Sequence, residues 1–199
     1  IGIFFLLPAL VSGWLDGPLG FESLGKPGNW LSNLLEGLLR LVILIVYLVV
    51  IGRMPEVRRV FSYHGAEHKT INAFEAGAEL TPKNVSKFTL VHPRCGTSFM
   101  LTLVLISILF FSLLGRLPLH WRLVTRIVLL PLVSGLAYEY IRFAAKHMDD
   151  SMLMRALIKP NLALQKLTTR EPSEDMLEVS IKAFTLMYEA ERKGSEVIP

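Results

Sequence analysis

Two apolar runs, "LLEGLLRLVILIVYLVVIG" from Leu34 to Gly52 and "SFMLTLVLISILFFSLLG" from Ser98 to Gly115, restrict this chain more than any other feature. Each comes close to the ~20 residues a helix needs to cross the hydrocarbon core of a bilayer. Ile1 to Leu15, and Leu123 to Phe143 with Arg126, Pro131, Gly135, Glu139 and Arg142 inside it, bring the set to about four. The expected fold class is an all-α integral membrane protein: about four transmembrane helices, a cytoplasmic helical loop and C-terminal amphipathic helices. The 52% apolar content of the 199 residues agrees, being high for an ordinary soluble domain. No basic n-region precedes the opening apolar run, so it reads as a span rather than a signal peptide.

Basic residues set the orientation. Segment 16–33 carries one (Lys26) and 115–122 carries two (Arg116, Arg122), whereas 53–97 has seven and 142–199 has nine. The positive-inside rule then places both termini and the 53–97 loop in the cytoplasm of a multi-pass protein of the bacterial inner membrane. Four segments follow: two spans over 1–52, the cytoplasmic loop over 53–97, two spans with a cytoplasmic extension over 98–158, and an amphipathic C-terminal region over 159–199.

Arg40 and Arg126 lie near the outer ends of their spans, where snorkelling or a Glu36–Arg40 pair at i,i+4 satisfies them. Glu139, with Arg142, Lys146 and Asp150 following at helical spacing, reads as an interfacial charge ladder ahead of ligation or proton transfer. Beyond it the sequence predicts a break at Pro160, a turn around Thr168 to Pro172, and a helix capped by Ser173. On that helix Leu177, Ile181, Phe184 and Tyr188 form an apolar stripe that packs on the cytoplasmic loop or the bilayer surface.

The loop holds the chemistry. In "YHGAEHKTINAFEAG", taking Ser62 to Ala76 as helix, His64, Glu67, His68, Ile71 and Glu75 share one face. "HGAEH" fits HxxEH, the inverted zincin pattern, in which two histidines bind zinc and the glutamate is a general base. "VHPRCGTSF" adds His92 and Cys95 on the same side of the membrane, with Cys95 just ahead of a helix whose dipole favours a thiolate. Cys95 is the only cysteine, so no intrachain disulfide forms.

Two arrangements of zinc, or another divalent transition metal, follow. In one, His64, His68 and a further ligand from Cys95, His92 or Glu75 hold a catalytic metal and Glu67 moves the proton; in the other, His64, His68, His92 and Cys95 close a structural site. Glu139 is an additional candidate. A metal-free alternative makes Cys95 a nucleophile activated by His68 or His92.

The partners expected are the bilayer itself and anionic lipid headgroups, the latter met by Arg58, Arg59, Lys69, Lys83 and Lys87. Homo-oligomerisation stays open. A net charge of +4 gives no argument for nucleic acid.

Three stretches in order, "YHGAEHKTINAFE", "HPRCGTSF" and "LQKLTTREPSEDMLEVSIKAF", resemble the bacterial membrane family DUF1385, described as a predicted metal-dependent enzyme. The resemblance implies a membrane-bound metal enzyme with His64, Glu67, His68, His92 and Cys95 at its motif positions, and leaves their roles and the substrate unassigned. At 160–162 this chain has Pro-Asn-Leu where the family has Pro-Gly-Leu. Asn tolerates a left-handed turn next best after Gly, so the same turn is expected. On the residues alone, the chain is a metal-dependent hydrolase of a peptide, lipid or other membrane-associated substrate, or a non-enzymatic scaffold or transport component with a structural cluster.

Overall fold

The computed structural model describes residues 3–4, 7–21, 26–114, 117–148 and 151–195, and among these the chain is helical with no strand. The helices are α1 (Leu7–Asp16), α2 (Lys26–Ile51), α3 (Pro55–Glu75), α4 (Pro82–Val85), α5 (Gly96–Leu113), α6 (Leu119–His147), α7 (Met152–Thr168) and α8 (Glu174–Ser195). Two stretches, Trp30–Ile51 in α2 and Leu123–His147 in α6, are long and apolar enough to cross a membrane. The apolar part of α5, Phe99–Leu113, is shorter, because the helix opens on Gly96, Thr97 and Ser98. Residues 1, 2, 5 and 6 of the expected first span, Gly115 of the third, and Asp150 of the charge ladder lie outside the described residues.

Two compact units divide the chain: Ile1–Val49 with Gly96–Asn161, and Val50–Cys95 with Leu162–Pro199. The sequence segments thus combine alternately rather than in order.

In the first unit α5 packs on α6. Ser32, Glu36 and Arg40 recur every fourth residue along α2 and are buried. The Ser32 hydroxyl donates to Asp16 Oδ2 at 3.0 Å, and Arg40 Nη2 donates to Glu36 Oε1 at 2.9 Å. Arg126 Nη2 reaches both oxygens of the same carboxylate at 3.3 Å, with its guanidinium 4.0 Å from the centre of the Phe111 ring. The Glu36–Arg40 pair is present as expected, but neither arginine snorkels. Both are 5% exposed or less and converge on one glutamate. Glu139, by contrast, is exposed and 4.0 Å from the equally exposed Arg142.

In the second unit α8 packs on α3 and α4. Ala66 and Ala73 of α3, Val85 of α4 and Leu177 of α8 form its core, bordered by Leu80, Phe88 and Ile181. Two small alanines on one face of α3 let α8 approach closely. Phe74 caps this interface against Phe184 and Tyr188, with ring centroids 4.8 and 5.0 Å away. The predicted stripe of α8 is therefore used against the loop. The helix starts immediately after Ser173 with Glu174 and Asp175 in its first turn. A hydrogen bond from the Ser173 hydroxyl holds the Asp175 carboxyl below the usual carboxylate range.

α7 departs from expectation. Pro160 lies inside the helix rather than breaking it. Its missing N–H leaves the Ala156 carbonyl without its helical donor, and in the same turn the Tyr140 hydroxyl donates to the Leu157 carbonyl at 3.1 Å. Asn161 is helical and buried, its amide donating to Thr102 Oγ1 at 2.8 Å. No non-glycine residue among those described has positive φ, so the left-handed turn expected at Asn161 does not form. A buried amide bonded to a neighbouring helix outweighs the turn preference.

Candidate metal centre

α3 begins earlier than the sequence pattern predicts, at Pro55, which fits the first helical turn because its missing N–H would have had no partner there. It ends at Glu75 through a glycine in the left-handed region: Gly77 has φ of 69°, its N–H bonds the Phe74 carbonyl, and the Ala78 N–H bonds the Ala73 carbonyl. This paired closure satisfies two carbonyls that the helix end leaves open.

One turn of α3 separates His64 from His68, and their rings meet edge to face with centroids 4.3 Å apart. Each ring is held from the same side of its chemistry. His64 Nδ1 donates to the Thr168 carbonyl at 2.9 Å and His68 Nδ1 donates to the Leu90 carbonyl at 2.6 Å. A carbonyl accepts only, so both Nδ1 atoms carry protons and, in the neutral rings, both Nε2 atoms present lone pairs. That is the tautomer a metal-ligating histidine has when its outer nitrogen is tied to the protein.

Cys95 completes the group. Its Sγ lies 3.2 Å from His64 Nε2, and one ligand atom from each of His64, His68 and Cys95 falls within 4.8 Å of the others. The sulfur comes into place through the tight turn 92–95, closed by the Cys95 N–H on the His92 carbonyl at 3.3 Å, directly ahead of α5. Hydrogen bonding to the Cys95 sulfur, against the effect of burial, raises the His64 pKa above the ordinary histidine value. In the imidazolium form both nitrogens donate; once Nε2 loses its proton, the same geometry points a lone pair at the sulfur. The metal-free alternative paired Cys95 with His68 or His92; His64 is a further imidazole at hydrogen-bond distance from the sulfur.

The remaining candidates stand apart from this triad. His92 is buried, its Nε2 donating to Glu75 Oε2 at 3.4 Å and its Nδ1 accepting the Arg94 N–H at 3.4 Å, so both nitrogens are engaged. Burial lowers the His92 pKa, and the Glu75 carboxylate opposes that shift. Glu75 also pairs with Arg94. Glu67 is exposed and lines a groove of about 380 Å³ between α3 and α8, together with Tyr63, Ile71, Ala183 and Phe184. The single polar face expected on α3 is thus divided. At 100° per residue Glu67 and His68 are a quarter-turn apart, which suffices for α8 to face one while the 90–95 segment faces the other. Glu139 belongs to the other unit. Lys69, expected to meet lipid, is buried, donating to the Ser86 carbonyl at 2.7 Å and pairing with Glu171 at 3.1 Å.

Three supports escape sequence reasoning. The Gln165 carboxamide accepts the His92 N–H and donates to the His92 carbonyl, each at 2.8 Å, fastening the 92–95 turn to α7. Thr168 acts through its backbone carbonyl, which leaves no side-chain signal. Gly65 faces the segment that follows: a Cβ there would lie 2.2 Å from the Arg170 carbonyl oxygen, while the Arg170 N–H bonds the Phe61 carbonyl at 3.0 Å. Only glycine lets this strap lie flat on α3 and bring the Thr168 carbonyl to His64. A Gly65→Ala variant is therefore expected to lift the strap and weaken metal binding by about 10–100-fold, the usual effect of losing an outer partner of a ligand. Competition with a chromophoric chelator measures this.

The comparisons with known proteins agree with the motifs. Residues 1–190 match the family described as "Protein of unknown function (DUF1385)", and this chain belongs to it. It is similar to the "Uncharacterized protein YqhQ" of Bacillus subtilis (strain 168), 36% identical over 157 residues, covering 79% of this chain and 49% of that protein. The chain thus spans about half the length of the curated relative it matches. No solved structure matches it.

Proposed function

We propose that this is a multi-pass protein of the bacterial inner membrane, with about four spans and both termini cytoplasmic, carrying a catalytic divalent transition-metal site. In this reading it is a metal-dependent hydrolase of a peptide, lipid or other membrane-associated substrate. The observation that carries the proposal is the matched orientation of His64 and His68, each fixed through Nδ1–H on a backbone carbonyl beside the Cys95 sulfur. Two imidazoles and a thiolate suit zinc, and three protein ligands are the number found in catalytic rather than structural zinc sites. When bound, the metal supplies Lewis acidity.

The chain's own residues do the rest. His64, His68 and Cys95 would hold the ion, and the Thr168 and Leu90 carbonyls keep the two rings in the ligating tautomer. Glu67, between the histidines in sequence and exposed at the groove, is the candidate general base: with its carboxylate turned from the groove toward the ligands it would take a proton from the attacking nucleophile and return it to the leaving group. The apolar walls of that groove, Tyr63, Ile71 and Phe184, suit the apolar part of a membrane-associated substrate. Arg58, Arg59, Lys83 and Lys87 are exposed and available to anionic headgroups.

A Glu67→Gln variant is expected to keep about one zinc per chain while turnover of fluorogenic peptide or phospholipid esters falls by about 10²–10⁴. Unchanged turnover would remove Glu67 from the mechanism. A non-enzymatic scaffold is the second reading, favoured by the Gln165–His92 and Thr168–His64 bonds, which use site residues to fasten the fold. It requires that Glu67→Gln be silent in every assay.

A further inference from the structure

α7 divides into three stripes. Ile158, Asn161, Leu164, Gln165 and Thr168 are buried and mark the face turned into the protein. Leu153, Leu157 and Pro160 fall at i, i+4 and i+7 on a second face, Leu153 63% and Leu157 43% exposed; Met152, 83% exposed, lies between this face and the basic residues. Arg155, Lys159 and Lys166 form a third, exposed stripe, and the helix contains no acidic residue. At 100° per residue the apolar stripe adjoins the buried face, their centres roughly 80° apart, and the basic stripe lies roughly 140° from both.

We propose that α7 is an in-plane membrane anchor that docks on anionic phospholipid. Its apolar stripe enters the boundary between headgroups and acyl chains, and its basic stripe meets the phosphates. Charge selects the occupant: a helix with three cations and no anion fits a negatively charged surface and suits a neutral protein surface poorly. Chain continuity supports it, because α7 starts five residues after His147, where the candidate span Leu123–His147 ends. The anchor rests on the membrane reading of α2 and α6 and is independent of the metal.

The full chain, reconstituted into nanodiscs of phosphatidylcholine alone or mixed with phosphatidylglycerol, tests this. Recovery of wild-type protein in the disc fraction is read first, and failure to incorporate overturns the membrane reading and the anchor with it. A Leu153→Trp reporter, compared with wild type, is then expected to be quenched by brominated lipid and shielded from aqueous acrylamide. Shielding should be stronger with phosphatidylglycerol, and Arg155→Gln with Lys159→Gln should remove that gain, at about fivefold per charge. A reporter open to acrylamide in both discs overturns the anchor while leaving the spans intact. Shielding that ignores both lipid charge and the glutamine pair overturns the selection of anionic lipid. Leu157→Trp, on the same stripe, gives the same reading if the Leu153 variant misfolds.

Discussion

Replacing Cys95 with serine is expected to abolish stoichiometric metal binding while leaving the protein folded. The sulfur is the only one the cysteines of this chain can offer, and it sits 3.2 Å from His64 Nε2. A serine hydroxyl fills nearly the same space but stays protonated at neutral pH, so the set falls from two imidazoles and a thiolate to two imidazoles. The turn that presents residue 95 is closed by backbone and by Gln165, neither of which the substitution touches. The loss should exceed the roughly 10–100-fold expected of the outer-partner variant Gly65→Ala, because a ligand itself is removed. Elemental analysis of zinc per chain, alongside helical circular dichroism to confirm folding, measures it. Full retention of metal by a folded Cys95→Ser protein would remove the cysteine from the site.

The second large effect lies in the other unit. Glu36→Ala is expected to destabilise the protein by about 3–5 kcal/mol, the cost of removing one partner from a buried ionic network. Arg40 and Arg126 both bond this carboxylate, and both are 5% exposed or less. Without it two guanidinium groups face each other across space the glutamate had occupied, in surroundings where charge is expensive. Glu36→Gln should cost less, since an amide oxygen still accepts from one arginine. Thermal unfolding in detergent, comparing the two variants, reads the difference; equal stability of Glu36→Ala and wild type would show that the arginines are held by other means.

How much of this is written in the sequence depends on the kind of interaction. Helical spacing places His64 and His68 together, because that pattern is local; Cys95 reaches His64 across 31 positions, a tertiary approach held by Gln165 on the 92–95 turn. The apolar stripe of α8 is legible for the same reason, though its landing on α3 is a tertiary choice between loop and bilayer. The division of the α3 face is not legible: a helical wheel puts Glu67 and His68 within one polar sector, and only the packing of α8 separates them. Pro160 and Asn161 read as a helix break and a turn by local preference, and a buried amide bond to Thr102 overrides both. The supports of the two histidines are backbone carbonyls at Leu90 and Thr168, which no residue identity announces. Gly65 is the exception in retrospect, since a glycine inside a helix with ordinary dihedrals implies that something lies against it.

The most direct test of the metal centre is X-ray absorption at the zinc edge on the purified full chain. One sulfur at about 2.3 Å and two imidazole nitrogens at about 2.0–2.1 Å are expected, at about one zinc per chain. A folded protein that contains no transition metal and takes up none, or a first shell without sulfur, would contradict the assignment of His64, His68 and Cys95 as ligands.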